Sequence, residues 1–113
     1  MVDPADPAFA EIKKTYNALD DNYDELYAGC KTDDQRAALR QLHSSARDVY
    51  WKAIADGIDD DNALVRQFTG ELKDTNKQIQ DALGELKDIA AFLTLATEAV
   101  KLAGAIATLA AAA

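Results

Sequence analysis

The chain has 113 residues, of which 49% are apolar and 28% charged, and this composition predicts one folded domain and excludes a disordered tail. Twenty acidic residues against 12 basic ones give a formal charge of −8, which repels phosphate backbones and argues against nucleic acid as a partner. The same charge suits either a basic protein partner or simple solubility.

The cysteine content and the N-terminal segment favour a cytoplasmic protein. Cys30 is the only cysteine, so the chain forms no internal disulfide. Charges are scattered through the N-terminal segment, which lacks the apolar core of a signal peptide. Farther on, Glu98 and Lys101 divide the apolar run of residues 89–113 into pieces too short for a bilayer. We therefore do not expect a membrane span.

The first predicted helix covers about residues 7–29. Asp6 followed by Pro7 is typical of a helix start, and Gly29 is the expected C-cap. Between them, apolar residues recur at spacings of three and four, which predicts one apolar helix face. The members of this face are Phe9, Ile12, Tyr16, Leu19, Tyr23, Leu26 and Cys30.

The second predicted helix covers about residues 33–56. Thr32 and Gln35 have the spacing of a capping box, and the helix should end near Gly57. Because the connection to the first helix is short, we expect the two to form an antiparallel hairpin. The apolar face consists of Leu39, Leu42, Ala46, Val49 and Ala53.

The third predicted helix covers about residues 62–111 and follows a turn whose aspartates, Asp59 to Asp61, are candidate caps. A heptad pattern typical of a coiled-coil seam keeps its phase throughout. Its leading positions are Val65, Leu72, Ile79, Leu86, Leu93, Val100 and Ala107. After residue 88 a second apolar stripe joins this seam, at Phe92, Leu95, Ala99, Leu102, Ile106 and Leu109. Only a narrow polar wedge is left, at Thr94, Thr97, Glu98, Lys101 and Thr108.

A helix that is apolar over most of its circumference must be covered, and two arrangements achieve this. The helix either breaks between Gly84 and Asp88 and folds back as a fourth helix capped by Asp88, or continues and buries its end against another copy. The unbroken heptad phase and the absence of proline favour the continuous helix. We therefore predict an all-α bundle, in which an antiparallel helical hairpin packs on a long third helix, with the four-helix bundle as the alternative.

The continuous arrangement makes the end of the third helix an interaction surface. We expect it to bind a second copy, as a homodimer or higher oligomer, or another helical protein. The residues predicted to form this surface are Phe92, Leu93, Leu95, Ala99, Val100, Leu102, Ala103 and Ile106.

The most prominent cluster of polar residues outside the turns is a basic stripe on the second helix, at Arg36, Arg40, His43 and Arg47. It suits an anion or an acidic partner, or else it pairs with the first helix, whose carboxylates include Asp20 and Asp24. A nucleophilic pair of Cys30 with His43 is not expected, because the two lie on different parts of the hairpin.

No metal site or cofactor is predicted. Asp20, Asn22 and Asp24 match the start of a calcium loop, but Glu25 and Lys31 replace the required glycine and glutamate. A single histidine excludes a di-metal carboxylate bundle, and no phosphate-binding loop or catalytic triad is present. We predict a non-enzymatic interaction module. The alternatives are a small acidic inhibitor of the immunity type that binds a basic partner, and a membrane-active protein that releases its C-terminal helix.

Overall fold

Five helices make up the computed structural model, which describes residues 6–58, 61–85 and 88–112, with side chains through Leu109. The described residues contain no strand. This confirms the prediction of an all-α bundle. The helices are α1 (Pro7–Asp21), α2 (Tyr23–Gly29), α3 (Asp33–Asp56), α4 (Ala63–Gly84) and α5 (Ile89–Ala112).

Side chains cap three of the helices, α3, α4 and α5, at their N-termini. Thr32 accepts a hydrogen bond from the Gln35 amide at 3.1 Å, as the capping box predicts, while the Gln35 side chain accepts from the Lys31 amide at 2.7 Å. In the next turn Asn62, not an aspartate, caps α4 by accepting from the amides of Leu64 and Val65. Two of the predicted aspartate caps, Asp59 and Asp60, lie outside the described residues.

Gly57 ends α3, where the sequence predicts a stop. Its backbone has φ of 77° and ψ of 179°, a conformation that L side chains rarely adopt. Its amide donates to the Ala53 carbonyl at 2.9 Å, which satisfies one of the free carbonyls at the helix end. The chain can therefore leave α3 sharply at this residue.

The first predicted helix is divided into α1 and α2, so the prediction of one helix over residues 7–29 is wrong. The division falls at Asn22, whose φ of −112° and ψ of 10° depart from helical values. Its side-chain amide donates to the Ala18 carbonyl at 3.0 Å, which offers the backbone a local alternative to the helical pattern. Gly29 is the last residue of α2, and Cys30, not Gly29, is its C-cap.

The continuous third helix is also wrong, and the fold-back arrangement is the one observed. α4 ends at Gly84, and α5 begins at Ile89 and packs back along α4. Asp88 caps α5 by accepting from the Ala91 amide at 3.2 Å. Folding back buries the apolar circumference of α5 within the same chain, whereas a continuous helix would leave it in water.

The four long helices form a bundle of 41 × 22 × 19 Å. Each successive long helix runs antiparallel to the one before it: between α1 and α3, Phe9 lies against Tyr50 and Tyr16 against His43, and short connections join α3 to α4 and α4 to α5. α5 packs mainly on α4 and α3, and α1 closes the ring by packing on α3 and α4. α1 and α4 are therefore parallel neighbours, as are α3 and α5.

Each long helix contributes one face to a continuous core, and α5 contributes the largest number of buried apolar residues. The largest fully buried side chains of the core are Phe92, Ile12, Leu19, Leu26, Leu39, Leu72, Ile79 and Ile106. The predicted polar wedge of α5 is exposed along its whole length. The sequence therefore predicts correctly which side of α5 is apolar and which side faces water. It does not predict that helices of the same chain cover the apolar side.

Candidate functional site

The fold brings most of the predicted interaction residues of α5 into its own core. Five of the eight are buried, namely Phe92, Leu93, Ala99, Ala103 and Ile106. Leu95, Val100 and Leu102 are partly buried and pack against the edge of that core. The buried five are not available to a partner while the bundle is closed, so any surface on α5 must be built from the remaining ones.

Such a surface exists on the outer side of α5. Leu95, Leu102 and Leu109 follow one another at intervals of seven residues, and each is only partly buried. We call these three the outer leucine stripe. Leu64, at 49% exposure, begins α4 at the end of the antiparallel α4/α5 pair where α5 reaches Leu109. The outer leucine stripe and Leu64 therefore present large apolar side chains that the bundle covers only in part.

Only two charged residues lie on α5, and both are exposed. Glu98 and Lys101 form no ion pair with any part of the chain that the structure describes. Glu98 lies between Leu95 and Leu102 along the helix, at spacings of three and four, so it borders the outer leucine stripe. Its charge is available to a group outside the chain.

The predicted basic stripe on α3 is partly neutralised by the fold. The Nε2 atom of His43 lies 2.9 Å from Oδ1 of Asp20 on α1, and Arg36 pairs with Asp33 on its own helix at 2.7 Å. The hydrogen bond from Arg36 lowers the pKa of the exposed Asp33 carboxyl. Arg40 and Arg47 are exposed, and no ion pair links them to the described residues. The stripe is thus a solvated face in which two of the four side chains, Arg36 and His43, have carboxylate partners.

Aromatic rings from both sides of the hairpin stack in a row along the α1/α2 and α3 seam. The centroid distances are 5.6 Å for Phe9 and Tyr50, 5.1 Å for Tyr50 and Tyr16, and 6.0 Å for Tyr16 and His43. Beyond His43 the row continues at 4.8 Å to Tyr23. Sequence reasoning missed this row, although rings at intervals of seven on each helix were the available signal.

Tyr16, within this row, should make stability depend on alkaline pH. Burial, followed by the nearby charge of Asp20, raises the pKa of Tyr16 above its ordinary value of 10.0. The fold favours the neutral phenol, so its contribution is complete below pH 10.0 and is lost as the pH rises through the raised pKa. We expect Tyr16→Phe to flatten the alkaline decline of the free energy of unfolding, measured by urea denaturation at several pH values. Equal slopes in the two proteins would contradict this.

The remaining candidates for chemistry are occupied by structural contacts. Cys30 is buried, and its thiol donates to the Leu26 carbonyl at 3.3 Å, while His43 is held by Asp20. The residues that resemble a calcium loop lie at the junction of α1 and α2, where Asn22 is bonded to Ala18. Across residues 6–58, 61–85 and 88–112, no group of three or more His, Cys, Asp or Glu side chains is placed to hold a metal ion.

A buried polar cluster, also missed by sequence reasoning, joins α1 to α4. The Asn76 side-chain amide donates to the Glu11 carbonyl at 3.0 Å and to its carboxylate at 3.1 Å. The Thr15 hydroxyl in turn donates to the Asn76 side-chain oxygen at 2.9 Å. Lys14 completes the cluster with an ion pair to Glu11 at 3.1 Å. The two helices are therefore joined through specific hydrogen bonds as well as apolar packing.

A groove of about 410 Å³ opens beside this cluster, on the outer side of α1 and α4. Glu11 and Asn76 form its floor, and three lysines, Lys14, Lys73 and Lys77, line it. In a chain of net charge −8 this is a local concentration of positive charge.

No protein-family model, curated protein or solved structure matches the chain. Among the described residues, one helical segment, Ile89–Leu109 of α5, has the length and composition of a membrane span, with a mean hydropathy of 1.6. In the bundle 39% of that window is buried, and the core helix of a soluble protein satisfies the same criteria.

Proposed function

We propose that the protein is a non-enzymatic interaction module that pairs with a second copy of itself through the outer leucine stripe of α5. The observation that carries the proposal is that Leu95, Leu102 and Leu109 stay partly exposed on the most apolar helix of the bundle. Large apolar side chains in a row of this kind mark interaction sites more often than isolated ones do.

The spacing of the outer leucine stripe supports a second copy as the occupant. Leu102 lies seven residues from both Leu95 and Leu109, so a two-fold axis passing beside Leu102 brings Leu102 against its own counterpart. The same axis sets Leu95 against Leu109 of the second copy, because the two α5 helices then run antiparallel. One stripe thus supplies both halves of a self-complementary contact.

Charge at the edge of the stripe is compatible with this pairing. Glu98 and Lys101 carry opposite charges and form no ion pair within the described residues, so neither loses an internal partner when a second copy binds. Exposed Thr94 adds a polar neighbour to the stripe on the solvent side. A polar rim around an apolar centre is the usual anatomy of a protein interface.

Leu102→Glu is the sharpest test, because the two-fold axis places residue 102 of both copies in the same contact. A single substitution therefore puts two carboxylates there. We expect it to raise the dissociation constant of the dimer by about 1,000-fold, since each of the two copies of a central interface residue contributes about 2 kcal/mol. Sedimentation equilibrium over a range of concentrations measures this constant. Circular dichroism should show unchanged helix content, because Leu102 is only partly buried.

Thr97→Glu is the matched control, since it adds the same charge to an exposed position of α5 outside the outer leucine stripe. We expect it to leave the assembly state unchanged. A parent protein that stays monomeric at all concentrations would overturn the proposal and favour the acidic-inhibitor alternative, in which a monomer binds a basic partner with steep salt dependence. Equal weakening by both variants would also overturn it.

A further inference from the structure

The groove between α1 and α4 has a floor that is fixed and fully hydrogen-bonded. Asn76 is 4% exposed and Glu11 is 6% exposed. Both amide hydrogens of Asn76 are donated to Glu11, and its oxygen accepts from Thr15. The Glu11 carboxylate also accepts from Lys14. Every member of the floor therefore has its partner, and the floor is held rigidly without a ligand.

The walls of the groove, in contrast, offer hydrogen-bond donors that the chain does not use. Lys73 and Lys77 lie one turn apart on α4, and neither forms an ion pair with the parts of the chain that the structure describes. Gln80 adds a side-chain amide one turn from Lys77 and Asn76. Lys14 uses one of its three hydrogens on Glu11 and faces the same space from α1.

The balance of charge in the groove is positive. Three ammonium groups face two carboxylates, and one of these, Glu11, is already satisfied by Lys14 and Asn76. The second carboxylate, Asp81, lies one turn beyond Lys77. The chain as a whole has a net charge of −8, so an anion approaching the protein meets attraction only where basic side chains cluster, as they do in this groove and on the basic stripe of α3.

We propose that this groove binds a small anion that carries several acidic oxygens, such as a phosphate ester or a polycarboxylate. Its volume of about 410 Å³ falls within the range of small-molecule sites. The acidic oxygens accept from Lys73 and Lys77, and Lys14 approaches the same group from α1. Charge-assisted hydrogen bonds of this kind are stronger than neutral ones, which gives the site its preference for anions over neutral molecules.

The test is a nuclear magnetic resonance titration of the isotope-labelled protein with inorganic phosphate and, separately, with citrate, each carried into the millimolar range. Sodium chloride at matched ionic strength is the reference. We expect saturable shifts of the amides of residues 73–80 and of residues 11–14. Saturation by phosphate alone identifies a phosphate group as the ligand chemistry, and saturation by citrate alone identifies a polycarboxylate.

The variant Lys73→Ala with Lys77→Ala removes the two unpaired donors and should weaken binding by about tenfold or more. Its control, Lys13→Ala with Lys31→Ala, removes the same charge from exposed positions outside the groove and should leave binding unchanged. Shifts that stay linear, that match sodium chloride, or that both variants reduce equally would overturn the proposal. Because the groove lies away from α5, Leu102→Glu should bind the anion normally whether or not the chain dimerises.

Discussion

Replacing Phe92 with alanine is expected to lower the free energy of unfolding by about 3–5 kcal/mol, because the ring is fully buried and its removal leaves a cavity. Phe92 lies on the first turn of α5, directly after the chain has folded back. Had the third helix continued outward, this residue would project past the hairpin, and its loss would leave the stability of the bundle unchanged. The substitution therefore tests the position of α5 as well as the packing of one ring.

Urea denaturation followed by circular dichroism measures the effect, with Thr94→Ala as the matched control. Thr94 lies two residues away on the exposed wedge, and its hydroxyl bonds only to the Ala90 carbonyl of its own helix. We expect the control to change the free energy of unfolding by no more than about 0.5 kcal/mol. Equal effects of the two substitutions would mean that α5 does not pack in the core as described.

Asn76→Ala should cost about 2–4 kcal/mol, because it deprives the buried Glu11 of a donor to its carboxylate and of one to its carbonyl. The Thr15 hydroxyl retains the Glu11 carbonyl as an acceptor, so it loses only one of its contacts. The effect should therefore fall mainly on Glu11, an acidic group that water reaches poorly.

Gln80→Ala is the control for Asn76→Ala, because Gln80 lies one turn along α4 and lines the same groove but is exposed. We expect it to alter the urea midpoint only slightly. If Asn76→Ala is as mild as Gln80→Ala, water has replaced the lost donor, and the polar cluster contributes little to holding α1 against α4.

Local patterns were sufficient to predict both ends of α3 and the apolar faces of the helices. The capping box at Thr32 and the stop at Gly57 are confirmed, because each depends on contacts within a few residues. Local patterns could not show whether the third predicted helix breaks before α5. The heptad phase of the sequence is the same for a continuous helix and for one that ends at Gly84 and begins again at Ile89. Gly84, Asp88 and the change of composition between them were the signals that favoured a turn.

The polar cluster was beyond the reach of sequence reasoning for a different reason. Asn76 bonds to Glu11 across 65 residues of chain, and nothing near either residue indicates that α1 and α4 are neighbours. Both residues look like ordinary solvated positions of an amphipathic helix. Their burial follows only from the ring order of the bundle, which depends on where α5 packs.

That ring order also bears on how the molecule comes to be assembled. α5 packs between α3 and α4 yet follows both along the chain, and α3 and α4 contact each other little. During synthesis, the earlier helices emerge first and expose apolar faces that have no counterpart until α5 leaves the ribosome. Nascent chains that stop short of α5 should therefore be substrates for chaperones and proteases, and the cooperative transition to the native bundle should occur only after α5 has been made.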